Sequence, residues 1–203
     1  QANQRAVQAL RSFTDELMEK QLAGKTTLTE NEKSILRNAL GQWEVFAESR
    51  GNSATARAIR ADGTFNVARV QSKLGLNVDA EANFRTAVGL YERLAAEFPA
   101  VPVYRYALAT TQHDLAVVLH GLGKRAEAEV QYRQALAVKA QLATEFPAVS
   151  EYRYALAFGH NGLGALAYDL GKPAEAEQEF RAALAIRTQL AADFPTRREY
   201  QSA

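Results

Sequence analysis

A self-match at an interval of 48 residues constrains this chain more than any other feature. Phe98-Pro99-Ala100 returns as Phe146-Pro147-Ala148 and again as Phe194-Pro195-Thr196, and Leu74-Gly75, Leu122-Gly123 and Leu170-Gly171 keep the same step. Between residues 98–145 and 146–193, 25 of 48 positions are identical, among them the run Tyr104 to Ala109 against Tyr152 to Ala157. A period of this length marks a chain that stacks one supersecondary unit on the next, because such a unit buries its apolar face only against its neighbours. Backwards, Leu76, Arg85 and Ala87 fall on Leu28, Arg37 and Ala39, while most other identities fade. Forwards, Glu199-Tyr200 falls on Glu151-Tyr152. The expected organisation is a degenerate first hairpin at 1–51, full units at 52–99, 100–147 and 148–195, and the start of a further unit at 196–203. A sequence opening at Gln1, with neither an initiator methionine nor a signal peptide, is expected to be a piece of something longer.

Each unit reads as two helices. Tyr104, Leu108, Leu115, Leu119 and Leu122 recur at helical spacing and predict a first helix over 104–121. Ala128, Tyr132, Ala135, Leu142 and Phe146 predict a second over 126–145. Leu-Gly-Lys forms the turn, its glycine taking the left-handed position that closes a helix, and Pro173 stands where the next helix begins and a missing amide costs nothing. Phe-Pro ends the second helix, since proline bars the residue before it from helical dihedrals. In the first fifty residues the same scheme gives helices near 2–23 and 29–49, with Thr29 and Glu32 forming a capping box. The count is eight helices in four hairpins.

Small residues hold fixed places in the clear units: Ala68, Ala116 and Gly164 on first helices, then Ala80, Ala128, Ala176 and Ala87, Ala135, Ala183 on second helices. With an aromatic between the last two (Phe84, Tyr132 or Phe180) and Leu-Gly before the turn, the pattern resembles the tetratricopeptide repeat, well over 52–195 and faintly before it. The usual unit of that family is about 34 residues. The excess divides into about seven residues per helix, nearly two turns, so each helix lengthens without rotating its apolar stripe off its neighbour. Ala183-Leu184-Ala185-Ile186-Arg187 followed by Phe194-Pro195 resembles the long-unit variety of kinesin light chains and of the bacterial proteins named after them. Glu-Phe-Pro-Ala-Val with Tyr-Arg is similar to arrays attached to serine/threonine kinases of planctomycete-type bacteria. The resemblance implies an all-α fold, a right-handed superhelical solenoid of antiparallel helix hairpins, and a protein or peptide partner.

Composition narrows the chemistry. With 24 basic against 23 acidic residues, the net charge of +1 supplies no field for nucleic acid, so no nucleic-acid partner is expected. The absence of cysteine removes thiol chemistry and thiolate metal sites and leaves the redox compartment open. No apolar run reaches the length of a membrane span, and membrane association is not evident. The expected location is cytoplasmic, and self-association is left open. His113 and His120 stand seven residues apart, about 10 Å along a helix, too far to share one ion. Gly121-Leu122-Gly123-Lys124 lacks the preceding strand and following hydroxyl of a phosphate loop. No nucleophile, base and orienting group assemble, so neither catalytic residues, metal nor cofactor are expected. Arg85, Arg133 and Arg181 each follow a glutamate by four residues and read as exposed pairs along a helix. One of each pair Tyr104/Tyr106 and Tyr152/Tyr154 is expected in the core, and Trp43, in the place of Tyr91, is read as packing.

The resemblance puts the binding surface on the first helices, and the positions implied are Asp62, Phe65, Arg69, Lys73, Thr110, His113, Val117, His120, Phe158, Asn161, Ala165, Tyr168 and Asp169. These vary between units while the packing positions do not. Of the paired asparagines and lysines with which some relatives clamp a carboxylate, only Asn161 and Lys73 are present. The expected function is a non-catalytic adaptor or scaffold binding a protein partner through this concave groove. The alternative is the regulatory portion of a larger bacterial signalling protein such as a serine/threonine kinase.

Overall fold

The computed structural model describes residues 2–25, 27–197 and 200. Among them there are eight α-helices and no strand: α1 (Ala2–Glu16, continued by one π-helical turn, Leu17–Gln21), α2 (Glu30–Ala47), α3 (Ala54–Lys73), α4 (Asn77–Glu97), α5 (Pro102–Gly121), α6 (Arg125–Glu145), α7 (Ser150–Asp169) and α8 (Pro173–Asp193). The fold is all-α. It divides into two compact units, one ending at Glu97 and one beginning at Phe98. Consecutive helices pack as hairpins within each.

The hairpin turns form for the reason their sequence implies. Gly75, Gly123 and Gly171 have φ of 81°, 77° and 70°, a region that residues with a β-carbon rarely adopt. In each, the next amide returns to a carbonyl five residues back: Leu76 to Gln71, Lys124 to Leu119, Lys172 to Ala167, all at 2.9 Å. Pro173 opens α8, and Thr29 and Glu32 cap α2 reciprocally, the Glu32 amide donating to the Thr29 hydroxyl and the Thr29 amide to the Glu32 carboxylate.

The small positions lie between helices. Ala68, Ala80, Ala87, Ala116, Ala128, Ala135, Ala176 and Ala183 are all buried. A β-carbon on Gly164 would stand 2.9 Å from the Phe180 ring, so the aromatic of the second helix packs directly on the backbone of the first. Forty-eight residues before Ala68 and Ala80 stand Lys20 and Glu32. There α1 and α2 meet through Leu10, Leu17, Leu36 and Trp43, and α1 packs less closely on α2 than α3 does on α4. Trp43 is wholly buried and donates its indole N–H to the Thr14 hydroxyl at 3.0 Å, so it packs.

Two further ladders repeat with the period. Arg57 forks onto Glu97 (2.5 and 2.8 Å), Arg105 onto Glu145 (2.8 and 2.6 Å), and Arg153 reaches Asp193 at 2.8 Å. Each pair ties the start of a first helix to the end of its second helix. The degenerate hairpin has Ala9 and Ser49 at those places. In the second unit Tyr152 packs on Phe146 and Tyr106 with ring centroids 5.9 and 5.3 Å away, and Tyr200 on Phe194 and Tyr154 at 5.9 and 5.4 Å. Tyr104, Tyr106, Tyr152 and Tyr154 are all half-buried. Neither pair divides into a core and a surface member, because the rings pack on one another along the ladder, edge-on at Phe146–Tyr152 and Phe194–Tyr200 and tilted at Tyr106–Tyr152 and Tyr154–Tyr200.

The three glutamate–arginine pairs form: Glu81–Arg85 at 2.9 Å, Glu129–Arg133 at 2.8 Å and Glu177–Arg181 at 2.6 Å. They are less uniform than their spacing suggests. Glu81 is buried, and Arg133 also reaches Glu175 on α8 at 2.5 Å, so that pair ties two hairpins together as well as stabilising its own helix.

Candidate functional site

The expected groove positions separate by unit. In the first, α1 lies against α3 and engages most of them. Asp62 accepts the Tyr91 hydroxyl and pairs with Arg11, each at 2.5 Å. Arg69 reaches Asp15 at 2.6 Å and lies over the Phe65 ring, 5.5 Å from its centroid. Phe65 packs on Phe84, and Lys73 donates to the Leu22 carbonyl at 2.8 Å. Burial and the neighbouring Asp62 carboxylate raise Tyr91 well above the ordinary phenol range. Asp62, Arg69 and Lys73 therefore act as fasteners for α1, a role the sequence did not signal because α1 belongs to the hairpin that has diverged furthest from the repeat.

The second unit offers an open face. Phe158, Asn161, Ala165 and Tyr168 follow one another by three or four residues and form one stripe along α7. Phe158 is 48% exposed and Tyr168 69%, and Val117 on α5 is 49% exposed. His120 Nε2 lies 2.9 Å from Asp169 Oδ2 and bridges the ends of the two helices. The Thr110 hydroxyl donates back to the Tyr106 carbonyl at 3.0 Å and stays within its own helix.

His113, expected on the groove surface, is instead buried beneath it. Its ring lies between Tyr132 and Phe158, with centroids 5.1 and 4.7 Å away, and a β-carbon on Gly162 would stand 2.8 Å from His113 Cε1. Phe158 covers it, which explains both the burial and the exposure of Phe158's outer side. Burial, with the Lys139 charge adding, pushes the His113 imidazole down to about 3, so at neutral pH the ring is uncharged.

Lys139 was not foreseen as part of this region. It is buried on α6 against the backbone of Gly159, and burial lowers its amine to about 8 against the opposing influence of Asp114. Counting back by the period puts Lys139 in register with Tyr91 and Trp43, so a lysine standing in an aromatic seat was the available signal. His160 is also inward, its Nδ1 2.6 Å from Glu179 on α8. Among the described residues no helix is long and apolar enough to cross a membrane.

The family comparison agrees with the helical repeat architecture. Residues 108–143 and 161–195 match the family model for the tetratricopeptide repeat. No curated protein matches the chain. Among solved structures the chain is similar to BtubC (BKLC) from P. vanneervenii, at 17% identity over 93% of this chain and 89% of that one, with a TM-score of 0.37.

Proposed function

We propose that this chain, which carries tetratricopeptide repeats, is a non-catalytic adaptor that holds a segment of a partner protein against the α5–α7 face of its second unit. One observation carries the reading: Phe158, Tyr168 and Val117 keep large apolar surfaces in water while the packing positions around them are filled. Exposed aromatics such as Phe158 and Tyr168, ringed by polar groups such as Asn161 and the His120–Asp169 pair, are the usual anchors of an interface, with Val117 adding apolar area beside them. Removing apolar area from water on binding contributes roughly 25 cal/mol per Å². His113 supports Phe158 from behind, so the aromatic is held in place before a partner arrives and loses little freedom on binding. The same face serves an independent adaptor and the regulatory part of a larger signalling protein.

The test is to identify the partner by affinity capture with the parent chain, then to measure its affinity for Phe158→Ala and Tyr168→Ala with purified components. Each substitution is expected to weaken binding by about tenfold or more, with helicity and melting close to the parent. Full affinity after loss of both aromatics overturns the assignment of this face.

A further inference from the structure

Lys139 stands in a seat that holds Trp43 in α2 and Tyr91 in α4, and it is only 3% exposed. A β-carbon on Gly159 would stand 3.4 Å from its Cδ and 3.8 Å from its Nζ, so the amine ends against the backbone of α7 with no side chain between them. At the homologous place the Tyr91 hydroxyl donates to the Asp62 carboxylate. One period after Asp62 stands Thr110, whose hydroxyl turns back to the Tyr106 carbonyl. Lys139 has no acceptor in its register, and among the described residues no hydrogen bond or ion pair ends on its Nζ. Asp114 acts on it as a nearby charge.

A buried ammonium without a hydrogen-bonded partner is costly, and shedding its proton relieves the cost. Burial brings the Lys139 amine to about 8, so near that pH about half of it is the free base, roughly a hundredfold more than of an exposed lysine. The free base is a nucleophile. Its seclusion selects the electrophile: bulky acyl donors and aldehydes are shut out, whereas carbon dioxide is small, linear and uncharged. A second polar group lacks a partner under the same stretch of α7. His113 is 3% exposed, its Nδ1 is buried without a hydrogen bond, and its ring lies against Phe158 and Gly162 within the field of the Lys139 charge.

We propose that Lys139 is a carbon dioxide site, where the amine forms a carbamate that accepts a hydrogen bond from His113 Nδ1. The Nζ lone pair attacks the carbon of CO2; the N–C bond forms as one C–O π bond opens, and an Nζ proton passes to solvent, leaving Lys–NH–COO⁻ and H⁺. A lysine extended in this way is no bulkier than the tryptophan that α2 carries at the same register. The buried group changes sign, from a cation that disfavours a proton on His113 to an anion that favours one. Asp114 opposes the new charge, and the His113 contact offsets it. The site lies behind the exposed aromatics of the α5–α7 face and does not depend on a partner.

The experiment records carbon NMR spectra of the whole chain at about pH 8 with isotope-labelled bicarbonate, which supplies CO2 by equilibration. The expected result is a carbamate resonance that Lys139→Met and Lys139→Arg both lose; arginine is the residue that α8 carries at this register, as Arg187. An amine at the end of the chain contributes equally to parent and variants. In a chain whose lysine nitrogens are isotope-labelled the resonance should split, because the new bond joins the carbon to Nζ. His113→Phe should lower its intensity by about tenfold, the usual worth of a hydrogen bond to a charged group. The proposal is overturned if parent and both Lys139 variants give the same spectrum, or if the resonance stays unsplit, since the label is then bicarbonate held as an ion. Undiminished intensity in His113→Phe overturns the His113 contact.

Discussion

Gly63 of α3 lies against the peptide that joins Phe46 to Ala47 at the end of α2: a β-carbon on it would stand 2.3 Å from the Ala47 nitrogen and 2.6 Å from the Phe46 carbonyl carbon. The obstacle is backbone, which cannot rotate aside as a side chain can. Gly63→Ala should therefore cost stability at the upper end of the roughly 1–3 kcal/mol typical of overpacking. Gly41, on the exposed side of α2 with nothing near it, is the control. Gly41→Ala should add about 0.5–1 kcal/mol by restricting the unfolded chain and favouring helix. Trp43, the one tryptophan and wholly buried in this unit, reports both by fluorescence during denaturation. Equal midpoints for the two variants would show that α2 and α3 are not in this contact.

The ion pairs that fasten α1 lead to a second expectation. Asp62→Asn weakens the contacts to Arg11 and Tyr91, and Arg69→Ala removes the contact to Asp15. Hydrogen bonds to charged, half-buried groups contribute about 1–3 kcal/mol, so each variant should lower the Trp43 unfolding midpoint measurably. Neither should change partner affinity, because the proposed binding face lies on α5 and α7. Loss of affinity with an unchanged midpoint would move the site to the first unit.

Much of the architecture was legible because each repeat records the same local contacts several times over. Gly75, Gly123 and Gly171 announce three turns, and the alanines at 80, 128 and 176 announce three close helix contacts, so chance coincidence is averaged away. The ion pairs from Arg57, Arg105 and Arg153 were equally periodic, yet their partners lie 40 residues onward at the far end of the hairpin, and only the folded geometry joins them. The groove was harder to read for a different reason. Whether His113 faces water or protein depends on whether the residue above it is large, and Phe158 is contributed by another helix. Asp62, Arg69 and Lys73 look like free polar groups until α1 is placed beside them, and α1 belongs to the copy least like the rest.

The buried imidazole makes a pH prediction whose sign follows from its surroundings. His113 faces Tyr132 and Lys139 from α6 and Phe158 from α7, and its neighbour Asp114 raises the amine of Lys139 and the phenol of Tyr132. Burial holds its folded pKa near 3, below the 6.5 of the free side chain. Between those values the unfolded chain binds a proton that the folded chain does not, so stability is full above the unfolded value and falls as the pH is lowered, by up to about 1.4 kcal/mol per pH unit. His113→Phe, which installs the residue found at the same register in Phe65, keeps an aromatic between Tyr132 and Phe158 and removes the titration. Comparing urea midpoints from far-ultraviolet circular dichroism at about pH 7.5 and about pH 4.5, the parent should lose more stability than the variant. The carboxylates titrate in both chains and cancel in the difference. Parallel losses would show that His113 is protonated as readily in the folded chain as in the unfolded one, and that Phe158 does not seal it from water.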